Sequence, residues 1–165
     1  MLFRSVRKGG DLVVKWASAT NRRNWELDIV TRDEVSNAPS NVRVHRGLNS
    51  NDPKLMQLYR EADLFVLPTR ADCHSLASLE AMASGIPVIL ARSGGTGDII
   101  MEGDTGYLIE AGKYDELADR LDHLLDHPET ISPMGRAARI DAVKRFDAKT
   151  NIRRTIGIMR SAIDY

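Results

Sequence analysis

Residues 64–67, Leu-Phe-Val-Leu, are apolar without a break and are closed by Pro68. A strand that is apolar at every position has no face to give to water. It must be covered on both sides, which is the condition of a strand in a parallel sheet. Residues 88–90 (VIL) have the same character, and residues 25–30 (WELDIV), 42–44 (VRV) and 105–109 (TGYLI) are further runs of strand length.

The segments between these runs carry apolar residues at helical spacing. Residues 10–20 place Leu12, Val13, Trp16 and Ala17 on one face. Asp52-Pro53 is a helix start, with the acid as N-cap and the proline at the first helical position; Leu55, Leu58 and Tyr59 give its inward face. Residues 75–84 predict a helix closed by Gly85, with Pro87 preventing continuation. Ile99 and Ile100 fall in a short helical turn. Residues 114–125 align Leu117, Leu121, Leu124 and Leu125, and two more helices are predicted over 132–146 and 147–163. The last of these, with Arg153, Arg154 and Arg160, is expected to be peripheral. Strands alternating with helices imply a Rossmann-like three-layer α/β/α domain with a parallel sheet, spanning residues 1–165 without an internal linker.

Such sheets bind ligands in the crevice beyond the carboxyl ends of their strands. The loop after residues 64–67 is Thr69-Arg70-Ala71-Asp72-Cys73-His74, and the next helix opens near Ser75. The first turn of a helix has unpaired N–H groups and about half a positive charge, which suits a phosphate. Asp72, just before that turn, either caps the helix or meets the hydroxyls of a ligand. Glu80, about a turn and a half further in, suits a ribose, because one carboxylate can accept from two vicinal hydroxyls. Read alone, the pair is equally a helix cap and a solvated helix residue. His74 has the chemistry of a general base, and Cys73 that of a nucleophile without an evident base partner; a backbone role and an ordinary thiol are the plainer readings.

Composition narrows the class. Lysine plus arginine and aspartate plus glutamate both number 23, so the chain is not a general polyanion binder and no nucleic-acid partner is expected. The single cysteine excludes an internal disulfide framework and suits a reducing compartment. No apolar run approaches the roughly 18 residues needed to cross a bilayer. A cytoplasmic location is expected, membrane-peripheral for a larger protein containing this domain. The histidines show no metal-ligand spacing with carboxylates, so no metal site is expected.

The stretch from Asp72 through Glu80, Ala81-Met82-Ala83, Gly85-Ile86-Pro87-Val88, then SGGTGDII and GDTGYLI resembles the donor-binding, C-terminal half of the retaining family 4 glycosyltransferases (glycosyltransferase group 1), which have the GT-B fold. The resemblance covers residues 8 to about 146. It implies one half of a GT-B enzyme that binds a nucleotide diphosphate sugar and takes part in transferring its hexosyl group to an acceptor hydroxyl in carbohydrate biosynthesis. It further implies metal independence, no cofactor beyond the donor substrate, a carbohydrate or lipid-linked acceptor, and a partner N-terminal Rossmann-like domain. The N-terminal Met-Leu-Phe reads as a remnant of the first strand of this half. Alone, the domain is expected to bind donor without turnover and to dimerise through its exposed inter-domain face.

The resemblance also assigns roles. Glu80 holds the nucleotide ribose. Asp72 contacts the transferred sugar, where the family usually has a glutamate one methylene longer. Cys73, His74, Ser75 and Leu76 bring backbone N–H groups to the diphosphate; Cys73-His74-Ser75 stands where Gly-aromatic-Gly is common. Lys8, in Arg7-Lys8-Gly9-Gly10-Asp11, neutralises the diphosphate, and Arg4 is the nearest substitute for the arginine that accompanies it. Gly95 and Thr96, beside Gly94, line the turn after residues 88–90; a tight connection between elements explains those glycines equally well. Leu48 and Asn49 fall where the base-binding loop lies. A non-catalytic interaction module with a GT-B-like fold is the competing reading. Retention of Lys8 and Glu80 argues against it.

Overall fold

Two parallel ladders run through the centre of the molecule. The computed structural model describes residues 6–36 and 38–163, and the backbone of residues 2–3. In the first ladder β1 (Leu2–Phe3), β2 (Leu27–Thr31) and β3 (Val42–His45) lie in that order, all parallel; in the second the order is β4 (Phe65–Leu67), β5 (Val88–Arg92) and β6 (Gly106–Glu110). The ladders meet at the carboxyl ends of β1 and β4, where the Arg70 N–H donates to the Arg7 carbonyl at 2.8 Å. Both ladders are parallel throughout, as the sequence predicts; among the described residues β1 pairs with Val30 and Thr31 of β2.

The apolar run behaves as a strand without a solvent face must: Phe65, Val66 and Leu67 are all buried, as are Val88–Ala91 of β5. Helices cover both faces. On one side α1 (Gly10–Ala19) packs with α4 (Tyr114–Asp126), and the Trp16 indole N–H donates to Asp122 at 3.2 Å. On the other lie α2 (Pro53–Glu61), α3 (Leu76–Ala83) and α5 (Ile131–Phe146). Ala81 and Met82 of α3 and Met134, Ala138 and Ala142 of α5 are buried where these two helices pack together. Small side chains let the helix axes approach and bury backbone as well as side chains. Each large apolar side chain fully buried here stabilises the fold by about 1.5–3 kcal/mol.

Local rules place the helix ends. The Asp52 carboxylate accepts from the Lys54 N–H at 2.8 Å with Pro53 next to it. Ser75 caps α3, its hydroxyl accepting from the Ser78 N–H at 3.2 Å, so Asp72 is not the cap. The turn expected at Ile99 and Ile100 sits earlier, as a 3₁₀ turn over Gly94–Asp98 ending at Ile99. A reciprocal box between Ser93 and Thr96 nucleates it there.

The final helix, α6 (Ala148–Ile163), has no buried residue. Ile152, Ile156, Met159 and Ile163 form an exposed stripe along it. No helix among the described residues is long and apolar enough to cross a membrane.

At the β2–β3 pair, Asp28 accepts from Arg43 at 2.8–2.9 Å and lies 2.6 Å from His45 Nε2. The Arg43 hydrogen bonds, ahead of those from His45, hold its carboxyl down from 3.8 to about 2. A carboxylate with a lowered folded-state pKa stabilises above its unfolded value, and this stabilisation disappears as pH falls through the folded value. Asp28→Asn is expected to flatten the loss of stability between 3.8 and about 2, measured by chemical denaturation along a pH series.

Candidate functional site

Three loops converge at the carboxyl ends of β1, β4 and β5, and glycines set how closely. Gly9, which precedes α1, has φ 75°, and a Cβ on it would lie 2.0 Å from the Pro68 carbonyl oxygen. A Cβ on Gly94 would lie 2.2 Å from the Asp72 carbonyl oxygen. The glycine pair after β5 therefore serves close packing of one loop on another. The Gly95 N–H donates to the Cys73 carbonyl at 2.7 Å, and the Asp72 N–H to the Ser93 hydroxyl at 2.9 Å.

The loop after β1 is stitched to the loop after β4. Arg7 donates to the Ala71 carbonyl at 2.9 Å, and the Thr69 hydroxyl donates to the Arg7 carbonyl at 3.2 Å. Arg70 grips Asp11 through both guanidinium ends at 2.7 Å and also donates to the Val6 carbonyl. Lys8 forms an ion pair with Asp72, both side chains largely withdrawn from water at 19% and 13% exposure. The sequence reading assigned these two groups separately, to a diphosphate and to a sugar. In the structure each has the other as its partner, because the stitched loops bring their backbones side by side.

The mouth of α3 is the centre of this arrangement. The N–H groups of residues 73–77 find no acceptor among the described residues, whereas the next two are taken up by the Ser75 hydroxyl and carbonyl. The first turn of α3 and the loop before it thus carry five successive N–H groups without an acceptor, of the kind that suits an anion. Ser75 is buried and holds the first turn in place. Leu76 is exposed at 71%. His74 is exposed and sets its ring edge against Phe146, with centroids 5.9 Å apart. Cys73 is an exposed free thiol. Glu80, one turn beyond Leu76 on the same helix face, is exposed, and one oxygen accepts from the Tyr59 hydroxyl at 3.1 Å.

Two expected donor-site residues have other surroundings. Thr96 is fully buried; its hydroxyl bonds the Ala91 and Ser93 carbonyls and receives the Ser93 N–H, so it braces the loop and offers nothing to the crevice. The Gly95 N–H is spent on Cys73. Arg4 lies outside the described residues. Leu48 packs against the core, and Asn49 is exposed with its carbonyl receiving the Asp52 N–H. Among the described residues no group of three or more histidine, cysteine, aspartate and glutamate side chains converges as metal ligands would. A groove of about 1320 Å³ runs past Trp16, Trp25, Leu58 and Ile131 and contains none of the expected site residues.

Sequence reasoning missed the Arg70–Asp11 clasp and the tyrosine beneath Glu80. The clasp links residues 59 positions apart and leaves no local pattern. Tyr59 did carry a signal: a phenol on an otherwise apolar helix face requires a partner when it is buried.

The parallel α/β layers and the loop crevice define a Rossmann-like α/β domain. Comparison with known proteins agrees: the profile of the family described as glycosyl transferases group 1 matches residues 7–141, and the chain belongs to that family. It is similar to D-inositol 3-phosphate glycosyltransferase of Arthrobacter sp. (strain FB24), 35% identical over 141 residues, covering 86% of this chain and 33% of that protein. It is also similar to the sulfoquinovosyl transferase SQD2 of Arabidopsis thaliana, 41% identical over 106 residues, covering 61% and 21%. The chain thus spans a third or less of the length of these two curated relatives. Among solved structures, the C-terminal domain of a glycosyl transferase group 1 family protein (LpcC) from Francisella tularensis superposes with a TM-score of 0.77 at 20% identity, covering 89% of this chain and 83% of that one. Anabaena Alr3699/HepE in complex with UDP-glucose gives 0.81 at 19% identity, covering 97% and 48%.

Proposed function

We propose that this domain binds the nucleoside diphosphate portion of an activated sugar, and that the protein containing it transfers the sugar to an acceptor hydroxyl with retention at the anomeric carbon, as a family 4 enzyme. The observation that carries this reading is the run of five unpaired N–H groups at residues 73–77, with Lys8 alongside and Glu80 one turn deeper. Diphosphate oxygens replace water on those donors, and Glu80 accepts from the ribose hydroxyls. Lys8 moves from Asp72 to the phosphates, which leaves Asp72 an acceptor for a hydroxyl of the sugar.

In the reaction the bond from the anomeric carbon to the diphosphate oxygen breaks, and a bond to the acceptor oxygen forms. The acceptor proton passes to the departing diphosphate. Donors already aimed at the leaving oxygens stabilise the charge that develops on them. No metal or cofactor is assigned a part. The acceptor site belongs to the remainder of a longer protein, so the isolated domain binds without turnover and remains free to pair with a second copy through the face meant for its other half.

The test is calorimetric titration of the domain with UDP, GDP and their sugars. At least one is expected to bind, and Glu80→Ala is expected to weaken it about tenfold or more, the cost of leaving ribose hydroxyls unpaired. A non-catalytic interaction module would show no heat with any of them and would be indifferent to Glu80→Ala.

A further inference from the structure

Glu80 is an exposed side chain with several free rotations, yet its carboxylate is not loose. Tyr59 rises from α2 beneath it, 6% exposed, with its ring tilted against Phe65 of β4 at a centroid distance of 6.4 Å and its hydroxyl 3.1 Å from Glu80 Oε2. The same hydroxyl lies 3.4 Å from the Ala77 carbonyl, a second, weaker acceptor on α3. The phenol is anchored by the core at one end and aimed at α3 at the other.

We propose that Tyr59 is a positioning residue: its buried hydroxyl holds the Glu80 carboxylate in the orientation that receives both hydroxyls of a ribose, and so makes the site selective for ribonucleotides over 2′-deoxyribonucleotides. This rests on the reading of Glu80 given above. The chemistry is simple. A carboxylate offers about four acceptor positions. One donor from Tyr59 leaves Oε1 and the outer side of Oε2 open, enough for two vicinal hydroxyls. A free glutamate side chain would lose rotamer freedom on binding; here folding has already ordered it. Burial first, and then the neighbouring carboxylate, pushes the Tyr59 phenol well above its ordinary value, so it stays a donor throughout the working pH range. The lack of any other donor to the Glu80 carboxylate among the described residues makes Tyr59 the sole protein group orienting it.

Tyr59→Phe keeps the ring and its contact with Phe65 and removes only the hydroxyl. UDP and GDP, with dUDP and dGDP as their 2′-deoxy counterparts, are titrated into the whole chain. The wild type is expected to prefer the ribose form. In Tyr59→Phe, affinity for the ribose form should fall about three- to tenfold, affinity for the deoxy form less than twofold, and the preference should shrink accordingly. In a Glu80→Ala background, Tyr59→Phe should change nothing further. Equal losses for ribose and deoxyribose ligands would reveal a merely structural tyrosine and overturn the proposal, as would no loss in either. A folded wild type that binds neither UDP nor GDP overturns the reading of the site itself. That failure is visible before any substitution is made, so the two are told apart.

Discussion

Gly9→Ala is expected to destabilise the domain by about 3 kcal/mol, the sum of a left-handed backbone imposed on alanine and forced overpacking. For a domain of this size that is a fall of roughly 6–12 °C in the midpoint of thermal unfolding. The cause lies in the junction of the two ladders. Gly9 has φ 75°, and the added methyl would sit 2.0 Å from the Pro68 carbonyl oxygen and 2.6 Å from its carbon, where no flexible side chain can move aside. The loop after β1 must retreat, which pulls Arg7 away from Arg70 and Lys8 away from Asp72. Gly112→Ala is the control: its φ is 82°, but nothing lies within 4 Å of the added methyl, so backbone strain of about 1–2 kcal/mol is the whole cost. Thermal unfolding of both variants by circular dichroism measures the difference. Equal shifts would mean that the close approach of the two loops contributes nothing.

Opposite effects are expected from the two members of the Lys8–Asp72 pair. Lys8→Ala should weaken UDP or GDP binding at least tenfold, because a charge-assisted contact to phosphate is lost. Asp72→Asn should strengthen binding of the same diphosphates roughly three- to tenfold, about 0.7–1.4 kcal/mol. The substitution frees Lys8 from a competing partner and removes a negative charge from the edge of an anion site. Transfer by the whole protein should nonetheless fall in Asp72→Asn, since the acceptor for the sugar hydroxyl is weakened. Titration calorimetry and a transfer assay measure the two separately. If Asp72→Asn weakens diphosphate binding as much as Lys8→Ala, the pair is a scaffold and Lys8 does not exchange partners.

Both expectations turn on long-range geometry, and this is where the sequence falls silent. Lys8 and Asp72 were each recognisable from their neighbours, Gly9-Gly10 on one side and the loop-to-helix transition on the other. That they hold each other across 64 positions follows only once the loops after β1 and β4 are brought together. Thr96 illustrates the same limit. In sequence it follows two glycines and reads as part of a turn that lines the donor site, but in the fold it is fully buried and its hydroxyl closes a box with Ser93. The α3 mouth was legible for the opposite reason. Its free donors are a property of any helix start, and the end of a buried strand at Leu67 put that start at the crevice.

The sequence by itself determined the alternation of strands and helices, the position of Asp52 and Ser75 at helix starts, and the candidate acids Asp72 and Glu80. Those features depend on apolar period and local hydrogen bonding, which extend over only a few residues. The tertiary structure decided which of those groups is free to meet a ligand. It tied Asp72 to Lys8, spent the Gly95 N–H on Cys73, left the N–H groups of residues 73–77 open, and set Tyr59 under Glu80. Partners for polar groups are chosen by proximity in space, and proximity between residues tens of positions apart exists only after the ladders have formed.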